Sequence, residues 1–544
     1  MTRYDPITLG ILWDRLISIA DEIVAALVRT SFSTIVRESY DLSCVLFDAQ
    51  GRSIVQGTYS LPSFTGTAPA TLRHMLARFP RETLRPGDVI ATNDPWLGTG
   101  HLFDVNVVQP VFVGGRIVGY AMSISHLPDI GGVGFSTSAR EIYEEGLRFL
   151  PVKLVDAGRP NELLLELIQT NVRVPSQTLG DLMANVSATT VGARMLVEFM
   201  EEYRIDDLTA LADAILAFSE SAIRQEIRRM PEGTYANAID IEGYDVPLRL
   251  ACKITLAEGE ATVDFAGSSL AIPAAINVPF CYSQAMACYA IKCLTTPRTP
   301  NNEGSVRPIK VSAPPGSILN AMPPSPTGGR HMVGHFVNPL MFGALARAAP
   351  QRIQADSGMM NLINVQGRTR DGRPISSIFF ASGGFGALHG LDGAPTTPSP
   401  SNMMGTPVEI WENLMGMTVT RKSLLPDSGG AGEFRGGVGQ RLELRNDSGH
   451  PMTISCLAVR TAFAPQGVHG GAAGRLREML INGAPVHPQG RHVLLPGDVL
   501  TTLEAGGGGY GDPSKRPRDS VLADVAAGYV TVDGARRDYG VETG

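Results

Sequence analysis

The sequence is short of positive charge. Its 544 residues carry 46 Lys and Arg against 53 Asp and Glu, a net charge of −7. That excludes a nucleic-acid binder of the ordinary kind, because phosphate contacts need a Lys/Arg surplus gathered on one patch or stripe. Aromatic residues are few, at 6%, so no stacking platform for bases or sugars is advertised. No uncharged apolar run is long enough for a signal peptide or a membrane span, since Asp14, Arg15, Asp21 and Glu22 interrupt the hydrophobic stretch at 7–29. The six cysteines have no C-x-x-C spacing and are expected as buried or free thiols in a reducing cytoplasm. There is no G-x-x-x-x-G-K-[ST] P-loop and no Gly-x-Ser-x-Gly in a strand-turn-helix setting, so neither phosphate binding of that kind nor serine-hydrolase chemistry is supported.

Glycine and proline are abundant instead, at 60 and 38 residues, alongside 43% hydrophobic residues. They punctuate a folded chain, and the length predicts about two to four domains or subdomains. An amphipathic helix is predicted over 7–29, with Asp5 as N-cap and Pro6 in its first turn. Strands follow at 42–48 and 53–56 around Asp48-Ala49-Gln50-Gly51, then at 89–92, 105–113 and 116–125, the last two joined by Gly114-Gly115. Pro110 favours an edge position for its strand. Helices are predicted over 161–170, 179–203 and 207–229, and a strand meander over 235–265 after Pro231-Glu232-Gly233. A helical patch at 282–294 and a β-rich unit from 406, closed by a short helix near 520–527, complete the reading. The fold class is α+β, with mixed sheets, a helical centre and a β-rich C-terminal region. The expected division is 1–230, 231–400 and 401–544.

The chemistry-bearing signal lies at the ends of one hairpin. Folding the strands about Gly114-Gly115 sets Phe103 opposite His126 and Asp104 opposite Ser125, so Gly100-His101-x-x-Asp104 converges with His126-x-x-Asp129. Two imidazoles and one or two carboxylates beside Gly-rich loops suit a divalent ion such as Mn or Zn, with positions open for water or substrate. An ion there would acidify a water or polarise a carbonyl. The alternative is that both histidines are turn residues satisfied by backbone, with Asp104 and Asp129 capping loops. Asp41, just before an apolar strand, reaches a metal or a substrate amide, or merely caps that strand. His331 and His335 stand four apart without the Glu of a zincin motif and read as surface or core residues. Gly506-Gly507-Gly508-Gly509-Tyr510-Gly511 matches G-x-G-x-x-G formally, but Asp512-Pro513 follows it instead of a helix.

These segments resemble the hydantoinase B / oxoprolinase family. The resemblance rests on Arg37-Glu38 with Asp41-x-Ser43, Asn93-Asp94-Pro95, the two His-x-x-Asp stretches, Glu145-Gly146-Leu147-Arg148 and Asn171-Val172-Arg173-x-Pro175. It continues through Leu179-Gly180-Asp181-Leu182, Asn302-Glu303-Gly304, Ser401-Asn402-Met403, 426–432 and 506–513. It departs at Ser60-Leu61-Pro62-Ser63-Phe64, where many members have two histidines, and at Leu127, where many have a further one. The resemblance implies one subunit of an ATP-dependent amidohydrolase opening a cyclic amide (a hydantoin, a lactam or 5-oxoproline), or of a ketone carboxylase, or a non-catalytic scaffold. It implies a hetero-oligomer with a hydantoinase A-type partner that binds ATP and phosphorylates the substrate carbonyl oxygen. Carried over by position, His101, Asp104 and His126 are the metal ligands, and Asp129 and Asp41 are catalytic groups near or facing the substrate.

Overall fold

The computed structural model describes residues 4–542. The chain opens with helix α1 (Pro6–Thr30), started by Asp5, whose carboxylate accepts the Ile7 and Thr8 N–H groups at 3.0 and 3.1 Å. Its apolar stripe of Leu12, Leu16, Ile19, Ile23 and Leu27 is buried. Among the described residues no helix is long and apolar enough to cross a membrane. A single helical turn, α2 (Thr34–Arg37), then leads into a seven-stranded sheet.

That sheet comprises β1 (Leu42–Asp48), β2 (Ser53–Gln56), β3 (Val89–Thr92), β4 (Asp104–Val113), β5 (Arg116–His126), β6 (Val152–Asp156) and β7 (Arg159–Pro160), in the order β2-β1-β5-β4-β3-β6-β7. Every neighbouring pair is antiparallel. Both faces are covered. Leu42, Cys44, Leu46, Val111 and Ala121 pack towards α1 and the long helices, while Val45, Phe47, Val107, Tyr120 and Met122 face the main core, the period-two alternation of a pleated strand.

Two expectations for the hairpin are corrected. Gly114 and Gly115 do make the turn, both at positive φ. However, Asp104 pairs with His126 and Val105 with Ser125, one residue away from the simple fold-back, because a bulge between Val111 and Phe112 takes up one extra residue of β5. Nor is the strand carrying Pro110 an edge strand, since β4 lies between β5 and β3. Pairing with β3 covers only Asn106, Val107 and Val108, so Pro110 sits beyond the end of that ladder, where its missing N–H costs no bond.

A one-turn helix α3 (Ile142–Glu145) precedes the helical centre: α4 (Glu162–Asn171), α5 (Pro175–Glu202) and α6 (Thr209–Arg229). Helix α5 runs against α1 and across β4 and β5. A second sheet, from strands at Gly233–Ile241, Leu248–Ala257, Glu260–Asp264 and Ile309–Ser312, bears out the meander and adds a parallel fourth strand. Two further sheets of four and five strands hold the C-terminal part, and Trp411 is fully buried among them with its ring 4.8 Å from Phe379. The four-stranded one takes strands from both sides of residue 400, Met360–Arg368 and Met452–Leu457 being adjacent. The main apolar core is continuous from Ile35 to Tyr510.

The glycine run near the C-terminus is structural. Gly507 donates to Gly437 O at 2.9 Å and accepts from Gly430 N at 2.8 Å, while Gly508 and Gly509 donate to Asp356 O and Ala472 O. Asp512 then caps a short 3-10 turn, Pro513–Lys515. Backbones cross here at spacings only glycine permits.

Candidate functional site

The first strand of the sheet begins, β4 begins and β5 ends at the same edge of the sheet. Asp41, His101, Asp104 and His126 therefore gather, and His126 N donates to Asp41 O at 3.2 Å. The loop before β4 is held from two directions. Asn93 donates to Leu102 O and Leu147 O, both at 2.8 Å, and Asp94 accepts the Trp96 and Leu97 N–H groups while pairing with Arg148. Gly100, at φ +100°, leaves room for Arg330, whose Cδ would lie 2.8 Å from any Cβ there.

The protonation pattern follows from the contacts. His101 Nδ1 lies 3.0 Å from Gly328 O, and His126 Nδ1 lies 2.8 Å from Leu127 O. A carbonyl only accepts, so each Nδ1 carries the proton and each Nε2 keeps its lone pair. Burial and the Arg330 charge hold His101 below the usual histidine range, and burial with the neighbouring His101 pulls His126 down to about 3. Both rings are neutral at pH 7.

His101 Nε2 and Asp104 Oδ1 are 2.9 Å apart, two acceptors facing each other in a buried site. Both atoms and His126 Nε2 lack a hydrogen-bond partner. Burial alone would raise Asp104, but the charges around it, Arg330 at 2.6 Å among them, hold its carboxyl well below the usual carboxylate range. Burial and the Asp104 charge push Asp41 well above it, with Arg330 opposing. Two imidazole nitrogens and a carboxylate oxygen, each orphaned and each with its other side fixed, are the donor set a divalent ion would satisfy. Among the described residues no three His, Cys, Asp or Glu side chains are already assembled around an ion position. What stands in place is the His101–Asp104 contact with the His126 ring centroid 5.0 Å from that of His101.

A cavity of about 40 Å³ opens on this group, walled by Asp41, His101, His126, Arg330, His331 and His335 and lined on its apolar side by Phe135, Leu362 and Met403. A larger groove, about 530 Å³, lies elsewhere, between Arg173, Gln177, Arg373 and Asn413, and holds no comparable set of donors. Asp129 is not a wall of the cavity. Its carboxylate pairs with the Arg173 guanidinium at 2.8 Å and accepts the Arg173 and Gly131 N–H groups, tying the loop after β5 to the start of α5. Leu61 and Ser63, from the stretch 60–66 where the chain departs from the resemblance, line the cavity.

Four residues of the site were missed or set aside in the sequence. Arg330 pairs with Asp104, and its guanidinium lies 4.6 Å from the Tyr282 ring. His331 and His335 are buried in the cavity wall. Glu145 is buried too, and its Oε1 accepts from Thr327 N and Gly328 N at 2.7 and 2.6 Å, holding the carbonyl that orients His101. The signal was there in Arg330-His331-x-x-Gly334-His335, a concentration of nitrogen bases in an otherwise apolar stretch.

Residues 5–513 match the hydantoinase B/oxoprolinase family. The chain belongs to that family. Among its members, caprolactamase subunit beta of Pseudomonas jessenii is 32% identical over 569 residues, covering 99% of this chain and 97% of that one. The 5-oxoprolinase 1 of Arabidopsis thaliana is 28% identical across 93% of this chain, which spans 42% of that longer protein. The crystal structure of the ATP-dependent caprolactamase from Pseudomonas jessenii superposes with a TM-score of 0.91 at 29% identity, over 100% of this chain and 97% of that one. This chain shares its α+β architecture with that structure.

Proposed function

We propose that this chain is the ion-holding subunit of an ATP-dependent amidohydrolase that opens a cyclic amide, working in a cytoplasmic hetero-oligomer with a hydantoinase A-type subunit that binds ATP. The observation that carries the reading is the set of orphaned acceptors, His101 Nε2, Asp104 Oδ1 and His126 Nε2, at one buried cavity. These three residues would hold a divalent ion, Mn or Zn, and such an ion supplies Lewis acidity towards a carbonyl oxygen or a water. The likeness to caprolactamase subunit beta and to a 5-oxoprolinase supports a cyclic amide as substrate.

The chain's own residues have distinct tasks in this reading. Gly328 O and Leu127 O fix the two imidazoles as Nδ1–H tautomers, so their Nε2 lone pairs stay available. Arg330 keeps Asp104 ionised in a site that would otherwise protonate it. Asp41 faces the reacting group, and Phe135, Leu362 and Met403 exclude bulk water. Asp129 acts as a brace for the loop that follows His126 rather than at the substrate.

The test is co-expression with a hydantoinase A-type subunit, followed by measurement of ATP consumption with hydantoin, 5-oxoproline, caprolactam or a ketone such as acetone, with and without bicarbonate. The expected result is ADP formation dependent on one cyclic amide and indifferent to bicarbonate, with a ring-opened product. Ketone-dependent turnover that needs bicarbonate would replace this reading with a carboxylase subunit. An active complex fully depleted of divalent ions would remove the ion from it.

A further inference from the structure

We propose that His331 is a catalytic residue of this cavity, the base that takes the proton of the attacking water and returns it to the ring nitrogen as the amide opens. The inference rests on the amide-opening reading above. His331 lines the same 40 Å³ cavity as His101 and His126, and its Nε2 is buried with no hydrogen-bond partner. A buried unpaired nitrogen costs stability, and this one belongs to a side chain in the wall of the cavity.

The placement of the ring is fixed by its surroundings. Arg330, the preceding residue, is anchored by Asp104 at 2.6 Å and by Thr99 O at 3.0 Å, so the backbone at 331 cannot drift from the hairpin end. Phe135 stacks on the His331 ring at 5.9 Å and 23°, and His335 packs against it at 5.6 Å and 59°. Phe135 also contacts the rings of His101 and His126, so one phenyl ring spaces the third imidazole from the other two. His331 is thus beside the group assigned to the ion without being its ligand. Burial and the adjacent His335 and Arg330 hold its ring well below the usual histidine range, so the ring is neutral at pH 7 and, once it has taken a proton, gives it up readily to the leaving nitrogen.

The step balances as follows. The water oxygen bonds to the amide carbon, whose oxygen carries the phosphoryl group from the partner's ATP, and one water proton passes to His331 Nε2. The C=N π pair of the O-phosphorylated imidate moves to nitrogen as the water adds, and that nitrogen takes the proton from His331. The C–N bond then breaks with its electron pair on nitrogen while the O–H pair of the new hydroxyl forms the acyl C=O, and the second water proton reaches nitrogen through His331 as well. An acyl phosphate remains, and a second water converts it to carboxylate and phosphate.

The experiment uses the co-expressed complex with whichever of hydantoin, 5-oxoproline or caprolactam supports wild-type turnover, comparing His331→Gln and His331→Ala. The expected result is a kcat lower by about 10²–10⁴-fold, with KM, divalent-ion content and melting temperature unchanged, and with partial recovery of His331→Ala by added imidazole. A folded, ion-loaded His331→Gln complex with kcat within threefold of wild type overturns the assignment. A loss of activity that comes with lost ion or lowered melting temperature, and that imidazole does not restore, makes the residue structural and overturns it as well. A wild-type complex inert towards all three amides fails at the earlier reading, a result visible before any variant is made.

Discussion

Arg330 Nη2 lies 2.6 Å from Asp104 Oδ2 in a pair whose side chains are 6% and 1% exposed, joining positions 226 residues apart. The pair couples the hairpin end to the histidine-bearing loop. A buried pair broken at one partner leaves the other charge desolvated, at a cost of about 3–5 kcal/mol. Arg330→Met is therefore expected to lower the first unfolding transition in urea by that amount and to release Asp104 upward in pKa. A loss below about 1 kcal/mol would mean that the cluster tolerates an uncompensated Asp104.

His101→Ala and His126→Ala are expected to lower bound divalent ion and abolish turnover while the complex with the partner subunit still assembles. Neither ring bonds to a surface: each Nδ1 contact is to an internal carbonyl. Elemental analysis beside size-exclusion chromatography separates the two effects. Unchanged ion content in both variants would move the ion, if there is one, away from this hairpin.

The parts of the site legible in the sequence are those made by local pairing. A Gly-Gly turn between two apolar runs brings His101, Asp104 and His126 together whatever else the chain does, and even the one-residue error in register kept them adjacent. The charged residue before an apolar strand flagged Asp41 for the same reason. Asp129 misled because His126-x-x-Asp129 copies the spacing of His101-x-x-Asp104. Its direction is decided by Arg173, 44 residues on, which no spacing rule reports. Arg330, His331 and His335 reach the cavity through the packing of the main core, and a motif search asking for a zincin Glu passes over them. Most helices and strands with clean periodicity were readable from α1 to the meander, whereas the helix Thr67–Arg78, the strand Val152–Asp156 and the last helix, Val532–Tyr539, were not foreseen.

Acid should destabilise the ion-free protein from an unusually high pH. His335 is pulled down to about 3 by burial and by Arg330, against about 6.5 when unfolded. Between those values the unfolded chain binds a proton that the folded chain refuses, so stability is full above pH 6.5 and falls as pH drops towards 3. Each such group adds at most about 1.4 kcal/mol per pH unit to the slope. In chelator-treated protein, melting temperatures from pH 7.5 to 4.5 should fall less steeply for His335→Gln than for wild type, and parallel curves would show that the ring is already charged in the fold.

Glu145 predicts the opposite limb. Burial pushes its carboxyl up to about 8, against the Thr327 and Gly328 N–H groups that pull it down. The folded chain keeps a proton that the unfolded chain releases above about 4.5, so this residue's contribution is full below that pH and is lost as pH rises through 8. Glu145→Gln preserves an oxygen for the two N–H groups and removes the ionisation. Its melting temperature should therefore change less than that of wild type between pH 6 and 9, and an equal decline would place the alkaline sensitivity elsewhere.

The glycine excess gives the last prediction, because it distinguishes packing from chain flexibility. A methyl group at Gly507 would collide with Phe385 O and lie 2.8 Å from Gly386 N, and one at Gly436 would collide with Gly507 O. These are backbone atoms, Phe385 O being held by Gly437 N and Gly507 O by Gly430 N, each at 2.8 Å, so nothing can rotate aside. Gly507→Ala should cost about 1–3 kcal/mol by overpacking. Gly405→Ala, where a Cβ meets nothing within 4 Å, should stay within about 0.5 kcal/mol of wild type. If the glycines served only to loosen the chain, both substitutions would stabilise by restricting the unfolded state. Opposite behaviour at the two positions in parallel denaturation curves would show that the run at 506–509 is a seam of crossing backbones, a role that explains its sequence without a bound nucleotide.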